Sequence, residues 1–343
     1  MSSTPSTKPT PTGNTPSSSA TKTRARKLLG NIPPHALSTA TSTHLISSRR
    51  RSRMPTSSTV CLLSPSKELT PPSNALPDCA DCDHVASAKA IAKGLAHHTP
   101  SNPVWLIHTS GTGILTIEDF RTNTFGLYRT KEHNDWEGVD ELVNLPADSL
   151  HRKVDEIILA AGPANPTSVH TAIICPPTIY GPGRGPSNTK SVQAYWLAAA
   201  VLKRRKGLLI GQGKNIWHQV HVQDLSDMYC LLGDAAAAGG GKATWNETGY
   251  YLAENGPFVW GDIQREVARV AYEKKLIPSP EVEPLSDAQV MEMDQFALYA
   301  LGTSSRGHSL RARKLLGWSP SKPGLMELIP SIVDLEAKEL GLA

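Results

Sequence analysis

Residues 175–186 read CPPTIYGPGRGP. They continue the stiff apolar run TAIIC, and Gly181, Gly183 and Gly185 are spaced by proline and arginine. A glycine-rich loop at a strand end invites comparison with a phosphate cradle. Such a cradle needs glycines where backbone N–H groups approach the phosphates, and a helix must begin at once so that its N-terminus faces the anion. This stretch fails on both counts of chemistry. Its spacing is not G-x-G-x-x-G, and Pro182 and Pro186 have no N–H to donate. It reads instead as a turn that aims one wall of a pocket. GQG at 211–213 lacks a third glycine, GGG at 239–241 follows an alanine run, and the P-loop pattern occurs nowhere in the sequence.

Around this loop, short apolar runs alternate with helical patterns. PVWLIHTSG (103–111) and VHTAIICPP (169–177) read as buried strands. HVASAKAIAKGLAHH (84–98), HRKVDEIILAAG (151–162, closed by Gly162) and SVQAYWLAAAVLKRRKG (191–207) read as helices. IWHQVHVQDLSDMYCLLGDAAAAGG (216–240) reads as a strand, an N-capping Asp224 or Ser226, and a helix. Strands alternating with helices predict an α/β protein with a mostly parallel sheet, whose ligands bind beyond the carboxyl ends of the strands. HTSG and CPPTIYGPGRG both fall at such ends.

The first 78 residues differ in kind. Of residues 1–60, 32 are Ser, Thr or Pro, too few apolar groups to offset the entropy of ordering them. Residues 1–67 hold ten Lys or Arg and no acid, whereas the remainder has 25 basic against 31 acidic residues. Residues 1–78 are therefore expected to form a disordered basic tail, and 79–343 the folded part. A basic tail binds polyanions non-specifically at most, so no specific nucleic-acid partner is expected. No run of 18 apolar residues predicts a membrane span. The five cysteines are scattered, as in a reducing compartment. A cytoplasmic location follows. A mitochondrial one is the alternative, since the Arg- and Ser-rich leader has a presequence-like composition although Pro5, Pro9, Pro11 and Pro16 oppose a helix there. The heptapeptide RARKLLG occurs at 24–30 and again at 311–317, where it reads as a helix end capped by Gly317.

HTSGTGIL, CPPTIYGPGRGP, HVQDLSDMY and SLRARKLLGWSP, in this order and spacing, resemble the extended short-chain dehydrogenase/reductases, and within them the atypical fungal NAD-dependent epimerase/dehydratase proteins. The resemblance covers about residues 79–335. It implies an incomplete Rossmann-like parallel sheet with a smaller C-terminal substrate subdomain, built from 176–215 and 245–343. It begins near PDCADCDHV, which resembles the end of the family's fourth strand, so the half carrying the Gly-rich loop has no counterpart. Either that half is lost, or residues 1–78 are a substitute for it, which their composition favours. Exposed strand edges left by the gap would promote self-association, so a homodimer is among the expected partners.

The family's Ser, Tyr and Lys transfer a proton to or from a substrate hydroxyl. Ser110 matches the Ser, with Thr112 beside it on the substrate side. No tyrosine in the sequence is followed four residues later by lysine. At that place stand His151 and Asp155, read as a proton-transfer couple in which Asp155 holds His151, or as an ordinary helix-surface pair. The resemblance also places Asp81, Pro176 and Thr178 near the cofactor, NAD or NADP, and Tyr180 and Arg184 near the substrate. CADCDH (79–84) holds a single C-x-x-C, a weak zinc signal, and no metal site is assigned to it. The implied function is NAD(P)-dependent oxidoreduction or epimerisation of a hydroxyl-bearing small molecule or nucleotide sugar, impaired by the missing loop and Tyr–Lys pair. The alternative is a non-catalytic regulator that senses a dinucleotide or binds a protein.

Overall fold

A computed structural model describes residues 74–185 and 189–343. Its centre is a parallel four-stranded sheet of order β1 (Ala75–Asp78), β2 (Val104–Thr109), β4 (Val169–Cys175) and β8 (Tyr250–Leu252). The strands alternate their side chains between two faces, as the period of two requires. Leu106, Ile173, Tyr250 and Leu252 point into one core, with α1 (Val85–Leu95) and α4 (Arg152–Ala164) over it. Ile107, Ala172, Ile174 and Tyr251 point into the other, closed by α6 (Val222–Ala237), α10 (Arg311–Leu316) and Trp318. Both faces being covered, the inner strands are apolar almost throughout, which is why they read so clearly.

Between β2 and α4 lie α2 (Ile117–Thr122), the two-residue β3 (His133–Asn134) and α3 (Val139–Val143). The second body of the molecule follows β4. It holds β5 (Thr178–Tyr180), α5 (Gln193–Arg204), β6 (Gly207–Ile210), β7 (Ile216–His221), β9 (Pro257–Val259), α7 (Trp260–Glu273), β10 (Val282–Leu285), α8 (Asp287–Met293), α9 (Gln295–Gly302), β11 (Gly307–His308) and α11 (Leu325–Glu339). Here β5 pairs parallel with β7, β7 antiparallel with β9, and β6 parallel with β10. Leu197, Val201, Trp260, Val267, Ile329 and Val333 form the core between α5, α7 and α11. Among the described residues no helix is long and apolar enough to cross a membrane.

Three local expectations change. The folded part starts before residue 79: Ala75–Asp78 form β1, in register with Trp105–His108. Four residues of ALPD gain ladder hydrogen bonds and half-burial that composition averaged over a tail hides. β1 pairs only with β2, so its other edge is open among the described residues. The remainder of the predicted tail, residues 1–73, with the first RARKLLG, lies outside the described residues. Gly162 is not a cap but an interior residue of α4, where a Cβ would fall 2.0 Å from Asn246 Oδ1. The cap of α6 is His221, whose ring accepts from Gln223 N. Asp224, buried in the first turn, instead accepts from Ser321 N and Lys322 N, and Ser226 donates to Val222 O. The second RARKLLG behaves as expected, ending at Gly317 with φ of 67°.

One carboxylate ties the sheet to the second body. Glu254 accepts from Gly256 N at 2.7 Å and Ser309 N at 3.0 Å, and faces His218 Nδ1 at 3.4 Å. Burial works against its charge, but the His218 ring and the two backbone donors outweigh it and hold the carboxyl at about 2. Folding favours the carboxylate here. The stabilisation is therefore in place above the ordinary value of 4.5 and is lost as pH falls toward about 2. That difference corresponds to roughly 3 kcal/mol. Glu254→Gln should lose a similar amount at neutral pH, and its gap from wild type should close between pH 4.5 and 2. Urea unfolding of both proteins across that range measures it.

Candidate functional site

The carboxyl ends of β1, β2 and β4 converge on a buried polar network, joined by Tyr250 from the start of β8. β2 delivers His108, Thr109 and then Ser110, whose N–H bonds to Ile174 O on β4. The turn at Gly111 leads into a 3₁₀ segment, Thr112–Thr116, and not a full helix. Ser110 Oγ donates to Asp155 Oδ2 at 3.0 Å, and the Tyr250 hydroxyl donates to the same oxygen at 3.1 Å. Tyr250 also bonds Cys175 Sγ at 3.4 Å. The other Asp155 oxygen faces His108 Nε2 at 3.9 Å, and His108 Nδ1 meets Asp78 Oδ2 at 2.9 Å. Asp78 and His108 are register partners on adjacent strands, so the sheet itself sets that pair.

The electrostatics divide the carboxyls. Asp155 is 0% exposed, and burial pushes its pKa up against the pull of His108, His151, Ser110 and Tyr250. Burial opposes ionisation of Asp78 as well, but the His108 hydrogen bond and charge bring its pKa below the usual value. The Cys175 thiol is pushed up to about 12, first by burial and then by Asp155. The network thus runs from an acid near the surface whose pKa is lowered to a carboxyl inside whose pKa is raised.

His151 belongs to a second cluster beside it. It caps α4 with backbone φ of 61°, a left-handed conformation that costs a non-glycine residue about 1–2 kcal/mol and persists only where surroundings enforce it. Its Nδ1 lies 3.1 Å from Asp83 Oδ1 and 3.2 Å from Cys82 Sγ. Burial opposes protonation of the ring, yet Cys82 and Asp83 hold its pKa well above the ordinary histidine range. Gly113 leaves room for both the Tyr299 hydroxyl and Nε2, since a Cβ there would fall 1.7 Å from that hydroxyl and 3.1 Å from Nε2.

The expected couple of His151 with Asp155 is therefore not what forms. One turn of helix separates them, but the left-handed cap turns the imidazole toward Asp83 and Cys82, while Asp155 faces the strand ends. Ser110 and Asp155 do meet. Asp81 sits at a turn, its Oδ1 accepting from Asp83 N at 2.9 Å. Thr112 Oγ1 and Thr178 Oγ1 are buried without a partner at the ends of β2 and β4, and Pro176 O accepts from Thr112 N. Tyr180 does not present its hydroxyl to a pocket: it is 0% exposed and donates to Pro323 O at 2.8 Å. Arg184 is exposed, next to the undescribed residues 186–188. Of the C-x-x-C reading, only Cys82 joins a cluster, since His84 caps α1 through Ser87 N.

Sequence reading missed His108, Tyr250, Asp83 and Tyr299, and weighed Cys82 only as half of a C-x-x-C. His108 was open to inference: a histidine inside an apolar parallel strand, two residues before the candidate Ser, is costly unless paired. Tyr250 and Tyr299 reach the site through tertiary packing, which no local pattern announces.

A dinucleotide needs a cradle for its diphosphate and an opening to the catalytic side chains. The described residues fit neither requirement. They include no glycine-rich strand-to-helix turn, and Ser110, Asp155 and Thr178 are each 0% exposed. Among these residues, the buried polar atoms without a hydrogen-bond partner at the strand ends are the Thr112 and Thr178 hydroxyls, His108 Nε2 and Asp155 Oδ1.

Residues 151–246 match the model of the NAD dependent epimerase/dehydratase family. The oxidase ucsJ of an Acremonium species is 31% identical over 271 residues, covering 77% of this chain and 78% of that protein. Among solved structures, the dTDP-glucose 4,6-dehydratase of Bacillus anthracis in complex with NAD superposes with a TM-score of 0.51 at 14% identity, over 78% of this chain and 73% of that one. The PbgP3 protein of Burkholderia pseudomallei gives 0.50 at 11% identity, over 76% and 71%. These two similarities establish a shared α/β architecture. With the match across 151–246 and the extent of its likeness to the Acremonium oxidase, the chain belongs to the NAD-dependent epimerase/dehydratase family.

Proposed function

We propose that the chain carries the substrate- and proton-handling half of an NAD- or NADP-dependent oxidoreductase or epimerase. Its substrate class is a hydroxyl-bearing small molecule such as a nucleotide sugar, and its turnover is impaired because the sequence has neither a G-x-G-x-x-G loop nor a Tyr-x-x-x-Lys pair. The observation that carries this reading is the bond of Ser110 Oγ to Asp155 Oδ2 at the end of β2. With its own proton given to Asp155, the serine oxygen has lone pairs left to receive a proton from a substrate hydroxyl. Asp155 takes that serine proton in its ionised form, which burial makes the stronger base, and His108 Nε2, 3.9 Å away, with Asp78 beyond it, lies outward of the carboxylate. Tyr250 fixes the Asp155 carboxyl in place. Thr112, Thr178 and Arg184 are the remaining candidates for cofactor or substrate contact.

The test is turnover by the purified chain with millimolar nicotinamide dinucleotide and a panel of secondary alcohols and nucleotide sugars. Slow turnover is expected, falling at least about 100-fold in Ser110→Ala. A rate unchanged by that substitution would remove Ser110 from the mechanism. The complete burial of Ser110 and Asp155 favours a second reading, a non-catalytic dinucleotide-sensing regulator. Saturable dinucleotide binding without any turnover is the result that would select it.

A further inference from the structure

We infer that Cys82, Asp83 and His151 form a three-ligand site for a divalent zinc-like cation. The argument does not depend on the dinucleotide reading above. A tetrahedral zinc ion holds sulfur at about 2.3 Å and nitrogen or oxygen at about 2.0–2.2 Å, so neighbouring ligand atoms lie roughly 3.3–3.6 Å apart. The three donors already stand near those separations: Sγ to Nδ1 at 3.2 Å, Nδ1 to Asp83 Oδ2 at 3.2 Å, and Sγ to the same Oδ2 at 3.9 Å. Thiolate, imidazole and carboxylate together make a set suited to zinc rather than to magnesium or calcium, which take oxygen ligands. Three protein ligands leave a fourth position for water or substrate, the pattern of reactive rather than structural zinc sites.

The surroundings support the assignment. Cys82 and His151 are buried, while the Asp83 side chain keeps 16% exposure and so provides an entry path. His151 would ligate through Nδ1, the ring nitrogen that already faces Cys82 and Asp83. The strained backbone at His151 is what aims Nδ1 at Cys82 and Asp83. A second convergence, His218 with Glu254 and His308, has spent its donors. His218 Nδ1 meets Gly307 O at 2.8 Å, Glu254 accepts two backbone N–H groups, and His308 pairs with Glu132.

The experiment uses the full 343-residue chain, stripped with a chelator and dialysed against Zn²⁺ or Co²⁺. One equivalent of metal is expected, and the cobalt form should show a near-ultraviolet thiolate charge-transfer band. Cys82→Ser should abolish the band and weaken zinc binding at least about 100-fold, beyond what loss of an outer-shell partner does. Cys79→Ser should leave both unchanged, and far-ultraviolet circular dichroism should confirm that each variant is folded. Failure of the wild-type chain to retain stoichiometric metal would overturn the proposal. So would a band that survives Cys82→Ser, one lost in Cys79→Ser, or a cobalt spectrum without thiolate character.

Discussion

Asp155→Ala is expected to destabilise the fold by about 3–5 kcal/mol and to abolish turnover, whereas Asp155→Asn should abolish turnover at a much smaller cost. The alanine variant removes the shared acceptor Asp155 Oδ2 from two buried hydroxyls, Ser110 and Tyr250, and leaves Tyr250 only its weak contact with Cys175 Sγ. It also takes away the carboxylate facing His108. Leaving such groups unpartnered costs about 1–3 kcal/mol each. The asparagine keeps an acceptor at the same place, and burial already disfavours the ion that it replaces. The pH dependence has a definite sign. A carboxyl whose pKa is raised by folding adds stability that is complete below its ordinary value of 3.8 and is lost as pH rises through the folded value. The asparagine variant has no such loss, so its stability relative to wild type should improve with rising pH. Denaturant unfolding at several pH values, beside initial rates for both variants, separates the structural role from the proton-transfer role. Wild-type-like turnover in Asp155→Asn would contradict the latter.

Gly181→Ala is expected to cost about 3 kcal/mol, the largest effect of any small change in the loop 175–185. Gly181 has φ of 86°, and an added Cβ would lie 2.2, 2.4 and 2.7 Å from three atoms of the buried His221 ring. The backbone penalty is about 1–2 kcal/mol and overpacking adds about 1–3 kcal/mol. His221 is fixed from both sides, as cap of α6 and by the edge of Tyr180 at 5.5 Å. His221→Ala in the same chain should recover part of the loss, since the two sites share one volume. Purely additive effects in that double-mutant cycle would show that the clash is not the cause. This answers what the first glycine of YGPGRGP does. Gly181 lets the chain lie against the His221 ring, at the junction of β7 and α6.

The fold was legible where burial was continuous. VWLIHT and VHTAIIC are covered on both faces, so their apolar runs carried the signal of parallel strands directly. β1 was missed because ALPD is four half-buried residues at an open edge, with a proline and no strong pattern. The candidate site was half legible. Ser110 and Asp155 follow from their places after β2 and on α4, and they meet as bonded partners. The direction in which His151 points was not accessible, since it depends on one left-handed backbone angle at a helix start. Cys82 was visible as half of a C-x-x-C, but its partners come from its neighbour Asp83 and from a helix 69 residues on.

On the function proposed above, the described residues supply proton-handling groups but no place for the dinucleotide's diphosphate. Calorimetric titration of NAD⁺ and NADP⁺ into the purified 343-residue protein tests it most directly. Binding no tighter than about 1 mM, some −4 kcal/mol, is the expected result. Saturable one-to-one binding at micromolar concentration would contradict it.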